Sequence, residues 1–407
     1  MLFLSPTAPY PPNSGSRIRI FQFLRYFSAH FCTTAVFLAG RDEIAAKTFA
    51  KASSYCDNLL PIPHNFAKGW AVARWMVSNS PYRHVKMRSP KAEAQVREEL
   101  RNCDYDVVFV NCLDMLQCLP PRRFIRKDTL VVLDQHNSDE LWFRSFAAHS
   151  SLPYRFYGRE NLRRLQRLED REYQKVDLCL SVSHEDAEVT VKSLATPPPI
   201  LYAPNGVDLD FFQPVSCEPS GASILFCGSL DIQMNQDAIF YFVDRIFPLI
   251  LSKTPETELL IVGRNPTRQI RRLDRLDNVS VVGEVDDVRP FYARSRVMIA
   301  PFRIGGGTKL KLLEAFAMKV PVVSTDLGCR GIDASDGIHL LVANTPEEFS
   351  RAVIRLLERS SSELTERAYS LVQNSYSWNS IVSKVVSALR LPPNLFDGQS
   401  STGYRAS

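Results

Sequence analysis

Three consecutive glycines running into a helical stretch carry the most chemistry in this chain: Pro301-Phe-Arg-Ile-Gly305-Gly306-Gly307-Thr308-Lys309-Leu310-Lys311-Leu312-Leu313-Glu314-Ala315. Glycines let a backbone approach a ligand closely and adopt positive φ. Thr308 stands where an N-cap belongs, and Leu310, Leu313 and Ala317 recur at helical spacing. A glycine loop entering a helix N-terminus presents free N–H groups and the positive end of the helix dipole. Lys309 and Lys311 add formal charge. Gly306, Gly307, Thr308, Lys309 and Leu310 therefore read as a diphosphate site that needs no metal. Glu314 lies about two turns into the helix, too far along for phosphates but placed to accept hydrogen bonds from a pair of ribose hydroxyls. The plain alternative is a glycine turn packing a helix onto a sheet, with an exposed lysine pair.

His136 sits in Leu133-Asp134-Gln135-His136-Asn137-Ser138, just past an apolar run. A neutral imidazole there can bond a hydroxyl or steady charge as a bond breaks. A His bonded only to backbone is the alternative. His184, in Val182-Ser183-His184-Glu185-Asp186, reads as a helix-start residue. Arg17 and Arg19 follow Gly15 and either hold an acidic or phosphate-bearing partner or lie on a solvated helix face. The helical stretch Tyr154–Lys175 sets Arg155, Arg159, Arg163, Arg164, Arg167, Arg171 and Lys175 against Glu160, Glu169, Asp170 and Glu172, a surplus of three positive charges. Such a helix rests on anionic lipid or stands in water with internal ion pairs.

The elements that must hold these residues alternate between short apolar strands and longer helices. Strands are expected at Leu2–Ser5, Thr34–Leu38, Asp106–Val110, Leu130–Asp134, Leu178–Val182 and Ile200–Ala203. Beyond Pro204-Asn205-Gly206-Val207-Asp208 they are expected at Ser223–Cys227, Glu258–Val262, Asn278–Val282, Val297–Ala300, Val320–Ser324 and His339–Val342. Near-continuous apolar runs of this kind are strands buried on both faces, and the alternation implies parallel sheets with right-handed crossovers. The expectation is an α/β chain of two Rossmann-like parallel-sheet domains facing a central cleft: 1–206, a linker at 207–221, 222–375, a closing helix at 376–390 that returns to the N-terminal domain, and a loose tail at 391–407.

The bulk composition agrees. A chain of 407 residues suits two cores. A net charge of +5 fits anionic substrates or acidic lipid and is too weak and dispersed for nucleic acid. Nine cysteines without a Cys-x-x-Cys pair read as buried free thiols in a reducing cytoplasm, not a metal cluster. No apolar run approaches the roughly 20 residues that span a bilayer.

The segment Gly305–Gly331 resembles the donor motif of GT-B glycosyltransferases, family 4 in particular. Other landmarks follow in the family's order. Pro204-Asn205-Gly206-Val207-Asp208 resembles its interdomain motif, and Phe226-Cys227-Gly228-Ser229-Leu230 with Asn235 the opening of its donor domain. Leu260-Ile261-Val262-Gly263-Arg264 and Val282-Gly283-Glu284-Val285-Asp286 resemble the next two strand ends. Tyr376-Ser377-Trp378 resembles the start of its closing helix, and Pro9-Tyr10-Pro11-Pro12-Asn13-Ser14-Gly15-Ser16-Arg17 its acceptor-side loop. The resemblance implies retaining transfer of a sugar from a UDP- or GDP-sugar to a glycan, lipid-linked or small-molecule acceptor, with no metal and no cofactor. It places Gly228, Arg264, Gly283 and Val285 with the glycine loop and Glu314 on the donor side. It places Gly15, Arg17 and Asn137 on the acceptor side and His136 facing the donor sugar. A cytoplasmic location, with peripheral contact to an anionic inner membrane face, is the matching expectation. Two departures stand out. Gly306 occupies the place of the first glutamate of the family's Glu-x7-Glu pattern, and the loop Gly228–Asn235 lacks the basic residue many relatives carry, for which Lys309 and Arg264 are the expected substitutes. Rival readings are a catalytically silent sugar-nucleotide-binding scaffold and a sugar-nucleotide epimerase of the same architecture.

Overall fold

A computed structural model describes residues 1–12, 14–40, 52–65, 68–136, 138–141, 143–144, 152–214, 221–304, 307–359 and 361–390. Asn13, Asn137, Gly305, Gly306, the turn-rich 215–220 and the tail 391–407 lie outside the described residues. The chain divides into two compact units, one of Met1–Pro204 with Val382 onward, the other of Asn205–Ile381.

In the first unit, β1 (Leu2–Ser5), β2 (Thr34–Ala39), β3 (Asn58–Pro63), β4 (Val107–Asn111), β5 (Leu130–Gln135), β6 (Leu178–Ser181) and β7 (Ile200–Tyr202) form one parallel sheet in the order β3-β2-β1-β4-β5-β6-β7. The chain starts at β1, runs outward to β3, then returns to the other side of β1 and runs outward again. Loops leaving β1 and β4 therefore diverge, and the crevice at that reversal is where such sheets take ligands. β3 carries Pro61 and Pro63, which argue against a strand in the sequence. It forms because it lies at the sheet edge, where a missing N–H costs no ladder bond.

Helix α1 (Gly15–Phe27) packs Ile20, Phe21, Phe23, Leu24 and Phe27 on the sheet. Phe3 stacks on Phe109 at 5.5 Å and Phe27 meets Phe109 edge-on at 5.0 Å, which pins α1 across β1 and β4. Further along are α2 (Leu152–Glu172) and α3 (His184–Ser193). Ser183 caps α3 by accepting from the Asp186 N–H, and His184, its first residue, stacks on Tyr202 at 4.2 Å.

The second unit repeats the plan. β8 (Ser223–Cys227), β9 (Glu258–Val262), β10 (Val279–Gly283), β11 (Val297–Ala300), β12 (Val322–Ser324) and β13 (Leu341–Val342) are parallel in the order β10-β9-β8-β11-β12-β13, reversing between β8 and β11. β10 and β12 start later than their sequence suggests. Asn278 and Lys319 take left-handed φ of 65° and 56°, and Pro321 delays β12 further. Helices α4 (Gln233–Tyr241) and α5 (Leu310–Ala317) follow β8 and β11. Val207 is buried in this unit's core and its N–H donates to the Tyr376 carbonyl at 2.8 Å. α6 (Trp378–Leu389) begins in the second unit, and from Val382 its residues group with the first.

Two glycines are indispensable to the second unit. Gly228 and Gly263 end β8 and β9 at φ of 153° and 156°, and a Cβ on Gly263 would lie 1.7 Å from the Gly228 carbonyl oxygen. No movement of a side chain relieves a clash with backbone. Gly263→Ala should therefore cost about 3 kcal/mol or more, measured by urea unfolding. Gly221→Ala, at φ of 66° with nothing near its added Cβ, should cost about 1 kcal/mol. Equal losses would show that strain alone, not contact, matters at Gly263.

Candidate functional site

The second unit gathers its chemistry at the carboxyl ends of β8–β11. The Gly228 N–H donates to Val262 O at 3.0 Å and the Gly263 N–H to Gly283 O at 2.8 Å, so the turns leaving β8, β9 and β10 are laced together by backbone. Against them stands Lys311, from the first turn of α5. Its ammonium sits 4.6 Å from the Phe226 ring centre and 4.9 Å from that of Phe302, and donates to Asn235 Oδ1 at 2.9 Å. It is so close to the β8 turn that a Cβ on Gly228 would come within 2.4 Å of Nζ. Lys311 makes no ion pair among the described residues. Burial pushes its pKa down to about 8. Lys309, equally lowered to about 8 by burial and by Arg330, donates to Gly307 O at 2.8 Å. A cation held by π faces and neutral oxygens, beside glycine turns, is an arrangement that an incoming anion completes.

Several expectations change in detail. Thr308 is not the N-cap. Its hydroxyl donates to Gly331 O at 3.4 Å, and Lys309, with extended backbone, occupies the cap position before Leu310 opens α5. Glu314 is the fifth residue of α5, little more than one turn in. Its Oε2 accepts from the Tyr292 hydroxyl at 2.9 Å, while the other oxygen has no hydrogen bond among the described residues. Burial raises the Glu314 pKa. The basic residue over the β8 turn is Lys311, whereas Arg264 donates to Ser229 Oγ at 3.0 Å at the edge of the same loop. Gly283 turns at φ of 82°, and Val285 packs partly buried beyond it. Gly306 falls outside the described residues.

In the first unit the centre is Asp134, fully buried at the end of β5. Arg19 of α1 grips it with Nε at 2.9 Å from both carboxylate oxygens and a second nitrogen at 2.6 Å, and donates to Pro204 O at 3.1 Å. Arg19 is thus a buried structural cation, neither the ligand-facing residue nor the solvated helix-face residue that the sequence allows. Beyond Asp134, His136 places Nδ1 2.9 Å from Ser16 Oγ and Nε2 3.1 Å from Asp134 Oδ2. The second contact is off the direction of a hydrogen bond, so it is an attraction between charges. Burial works against the imidazolium, but the Cys112 sulfur and the Asp134 carboxylate outweigh it and hold the pKa up at about 9. At neutral pH His136 is therefore a cation, not the neutral ring expected from the sequence.

A cavity of about 150 Å³ lies against His136, with Ser16, Arg83, Cys112, Asp139 and Glu169 among its walls. Cys112 takes a left-handed φ of 69° at the turn out of β4. Burial raises Asp139 to about 6 and Glu169 to about 8. Glu169 Oε2 and His136 Nε2 are buried without a hydrogen-bond partner, which marks the cavity as built for something polar. Gly15 and Arg17 lie on the first turn of α1 but do not line it, and Asn137 is outside the described residues. Sequence reasoning did not assign Arg83, Cys112, Asp139 or Glu169 to a site. Asp139 had a signal in its position three residues past His136; the others come from distant segments and had none.

The family described as Glycosyltransferase Family 4 matches residues 14–211, and that described as Glycosyl transferases group 1 matches residues 221–359. A Klebsiella pneumoniae protein described as an uncharacterized 44.6 kDa protein in the cps region is 20% identical over 95% of this chain and 98% of its own. Phosphatidyl-myo-inositol mannosyltransferase of Mycobacterium tuberculosis is 27% identical over 45% of this chain, which spans about half, 52%, of that relative. Among solved structures, sucrose-phosphate synthase from Thermosynechococcus elongatus superposes with a TM-score of 0.71 at 16% identity, over 98% of this chain and 99% of that one. HepE of Anabaena in complex with UDP gives 0.65 at 13%, over 95% and 98%.

The Asp134 cluster has a defined response to mutation and pH. His136, with its raised pKa, contributes stability that is whole below its unfolded value of about 6.5 and is lost as pH climbs through about 9. Asp134, with its lowered pKa, contributes stability present above the ordinary carboxylate range and lost as pH falls. Asp134→Asn leaves the buried Arg19 without its carboxylate and should cost about 3–5 kcal/mol in urea unfolding at pH 7. It should also lower the His136 titration seen by NMR. A titration that stays near 9 would remove Asp134 as the partner of His136.

Proposed function

Since this chain belongs to the GT-B glycosyltransferases of the family 4 type, we propose that it moves a sugar from a UDP- or GDP-sugar to a glycan or lipid-linked acceptor, with retention and without a metal ion. The observation that carries the donor half is Lys311, a half-buried ammonium without a carboxylate partner, poised over the Gly228 turn. The UDP bound in the HepE structure supports the same class of ligand. In this reading the diphosphate lies against the N–H groups between Gly307 and Leu310, with Lys311 and Lys309 supplying charge and Arg264 at its edge. Negative charge grows on the diphosphate as the sugar–phosphate bond breaks, and cations fixed in advance stabilise that state more than the ground state. The free oxygen of Glu314 takes the ribose hydroxyls.

The first unit contributes His136 and the cavity beside it. An imidazolium tied to Asp134 and Ser16 donates hydrogen bonds to sugar oxygens and accepts none. Its role is orientation and charge stabilisation, not proton abstraction. Asp139, which Arg83 meets at 3.3 Å, is raised less by burial than Glu169, and it is the group we assign to an acceptor hydroxyl. Gly306, in the place of the family's first glutamate, favours one rival, a protein that binds the sugar nucleotide without transferring it. Release of free sugar or transfer product from a panel of UDP- and GDP-sugars separates the two.

Nucleotide binding and turnover both test this reading. Lys311→Met should weaken nucleoside diphosphate binding by about 10–100-fold, the worth of one charge-assisted hydrogen bond, with the fold intact. Wild-type affinity should fall as pH rises through about 8, where Lys309 and Lys311 lose their protons, and the Lys311 variant should show a shallower pH dependence. Calorimetry with chelator present throughout decides the metal question together with the lysine question, since strict metal dependence sinks the metal-free site. His136→Ala should lower kcat by about 100-fold or more, the worth of one donor aimed at developing charge, while leaving donor affinity nearly unchanged.

A further inference from the structure

Helix α2 buries Asn161, Leu165, Leu168, Glu169 and Glu172, a spacing of three and four that sets them on one face. That face is apolar or paired except at one place. Asn161 accepts from the Tyr82 N–H at 2.7 Å, and Glu172 takes Lys175 at 2.7 Å and Arg171 at 2.9 Å. Glu169, only 4% exposed, has no ion pair or hydrogen bond among the described residues. A buried carboxyl without a partner costs stability. A leucine at 169 would extend the apolar stripe and serve the fold better, so the carboxyl is there for another reason.

Glu169 stands in the wall of the cavity of about 150 Å³ beside His136. Arg83, in the same wall, is already committed to Asp114 at 2.7 Å and Asp139 at 3.3 Å. Burial, reinforced by the carboxylates of Asp139, Glu140 and Asp170, raises the Glu169 pKa to about 8. At neutral pH it is a carboxylic acid, with one O–H to donate, the form in which a buried carboxyl serves as a hydrogen-bond donor. Asp139 is raised less and is the acceptor of the two. A cavity of this size takes about one six-membered ring.

We propose that Glu169 is a specificity-determining residue of the acceptor site, giving a hydrogen bond to one oxygen of a single sugar ring held in this cavity and admitting an uncharged ring in preference to one that carries a carboxylate. The reason for the preference is the state of Glu169 itself. Removal from water and three neighbouring carboxylates keep its own carboxyl neutral, and a carboxylate brought to the same place by a ligand meets the same penalty. A hydroxyl meets none of it, since it can accept from Glu169 while another on the ring donates to Asp139. This assignment rests on the acceptor-side reading of the His136 cavity.

The test is saturation-transfer NMR on the full chain with glucose, galactose, mannose, rhamnose and N-acetylglucosamine beside glucuronate and galacturonate, each with and without UDP or GDP. A neutral sugar should bind and neither uronate should. Glu169→Gln, which keeps an uncharged N–H donor, should bind that sugar within about twofold of wild type, and Glu169→Leu should lose about tenfold. Wild-type affinity should fall as pH rises through about 8, where Glu169 gives up its proton. The groups that face Glu169 are Asp139 and Glu140 after β5, Asp170 and Tyr173 from its own stretch of chain, and Cys179 of β6. His136 and Arg83 share the cavity wall. Burial keeps Tyr173 and Cys179 neutral in this range, and His136 titrates at about 9. Glu169→Gln should therefore lose the step near 8 and keep the one near 9. Glu169, with its raised pKa, contributes stability that is whole below the ordinary carboxylate range and lost as pH climbs through about 8. The Gln variant should accordingly melt no lower than wild type at pH 7. Uronates that bind as well as neutral sugars, a Gln variant as weak as Leu, a wild-type profile flat through pH 8, or a cavity that holds only water and binds no sugar would each overturn the assignment. Absence of UDP and GDP binding would instead overturn the sugar-transfer reading, with the preference among sugars still measured.

Discussion

The Arg19–Asp134 pair organises the first unit. Both side chains are almost wholly removed from water, a cost that their attraction repays only with good geometry and full hydrogen bonding. The geometry is good: the guanidinium meets both carboxylate oxygens, takes the Pro204 carbonyl, and lies 4.9 Å from the Phe23 ring. Three segments far apart in sequence are thereby joined: α1, the end of β5, and the chain as it leaves the first unit at Pro204. The same carboxylate faces His136 from below and favours its charged form. One buried anion thus fixes a helix and, with the Cys112 sulfur, favours the charged form of a site residue.

The second unit solves the complementary problem. Lys311 makes no ion pair among the described residues, although the buried Glu314 carboxylate nearby favours its charged form. Lys311 rests on the faces of Phe226 and Phe302 and on an amide oxygen, and Lys309 on a backbone carbonyl. These partners stabilise an ammonium less than a carboxylate would, so burial lowers both pKa values to about 8. An aspartate there would satisfy the charge in advance, and an incoming anion would have to compete for it. Neutral partners keep the ammonium groups charged near neutrality and leave their field directed outward. The glycine turns serve the same end, since a side chain at Gly228 would occupy the space the ammonium now fills.

Much of this was legible in the sequence. Apolar runs bounded by turn residues locate the buried strands to within a residue or two, because strands covered on both faces cannot be polar. β3 escaped because its prolines are tolerated only at an edge, and edge position is a property of the assembled sheet. The glycine loop and His136 were visible because each lies within a few residues of a strand end, and Glu314 because it sits on the helix that the glycine loop opens. Arg19 and Lys311 were visible as charges but not as roles. Arg19 meets its partner across 115 residues and Lys311 across 76. Thr308 was assigned a cap by residue type, yet its hydroxyl found Gly331, a partner brought by the loop after β12.

The placement of Lys311 also bears on why the β8 loop can lack a basic residue. A cation over the turn can be delivered by the loop itself or by the helix after β11, because β8 and β11 are neighbours across the reversal of the sheet. Delivery from α5 puts the ammonium on the same helix as Glu314, one turn away, with the Tyr292 hydroxyl bonded to the Glu314 carboxylate and 3.3 Å from the Lys311 carbonyl. Lys311 and Glu314 then move as one rigid piece. The spacing between them is set by helix rise and not by loop conformation, about 1.5 Å per residue. Any ligand that meets both the Lys311 ammonium and the Glu314 carboxylate must match that spacing.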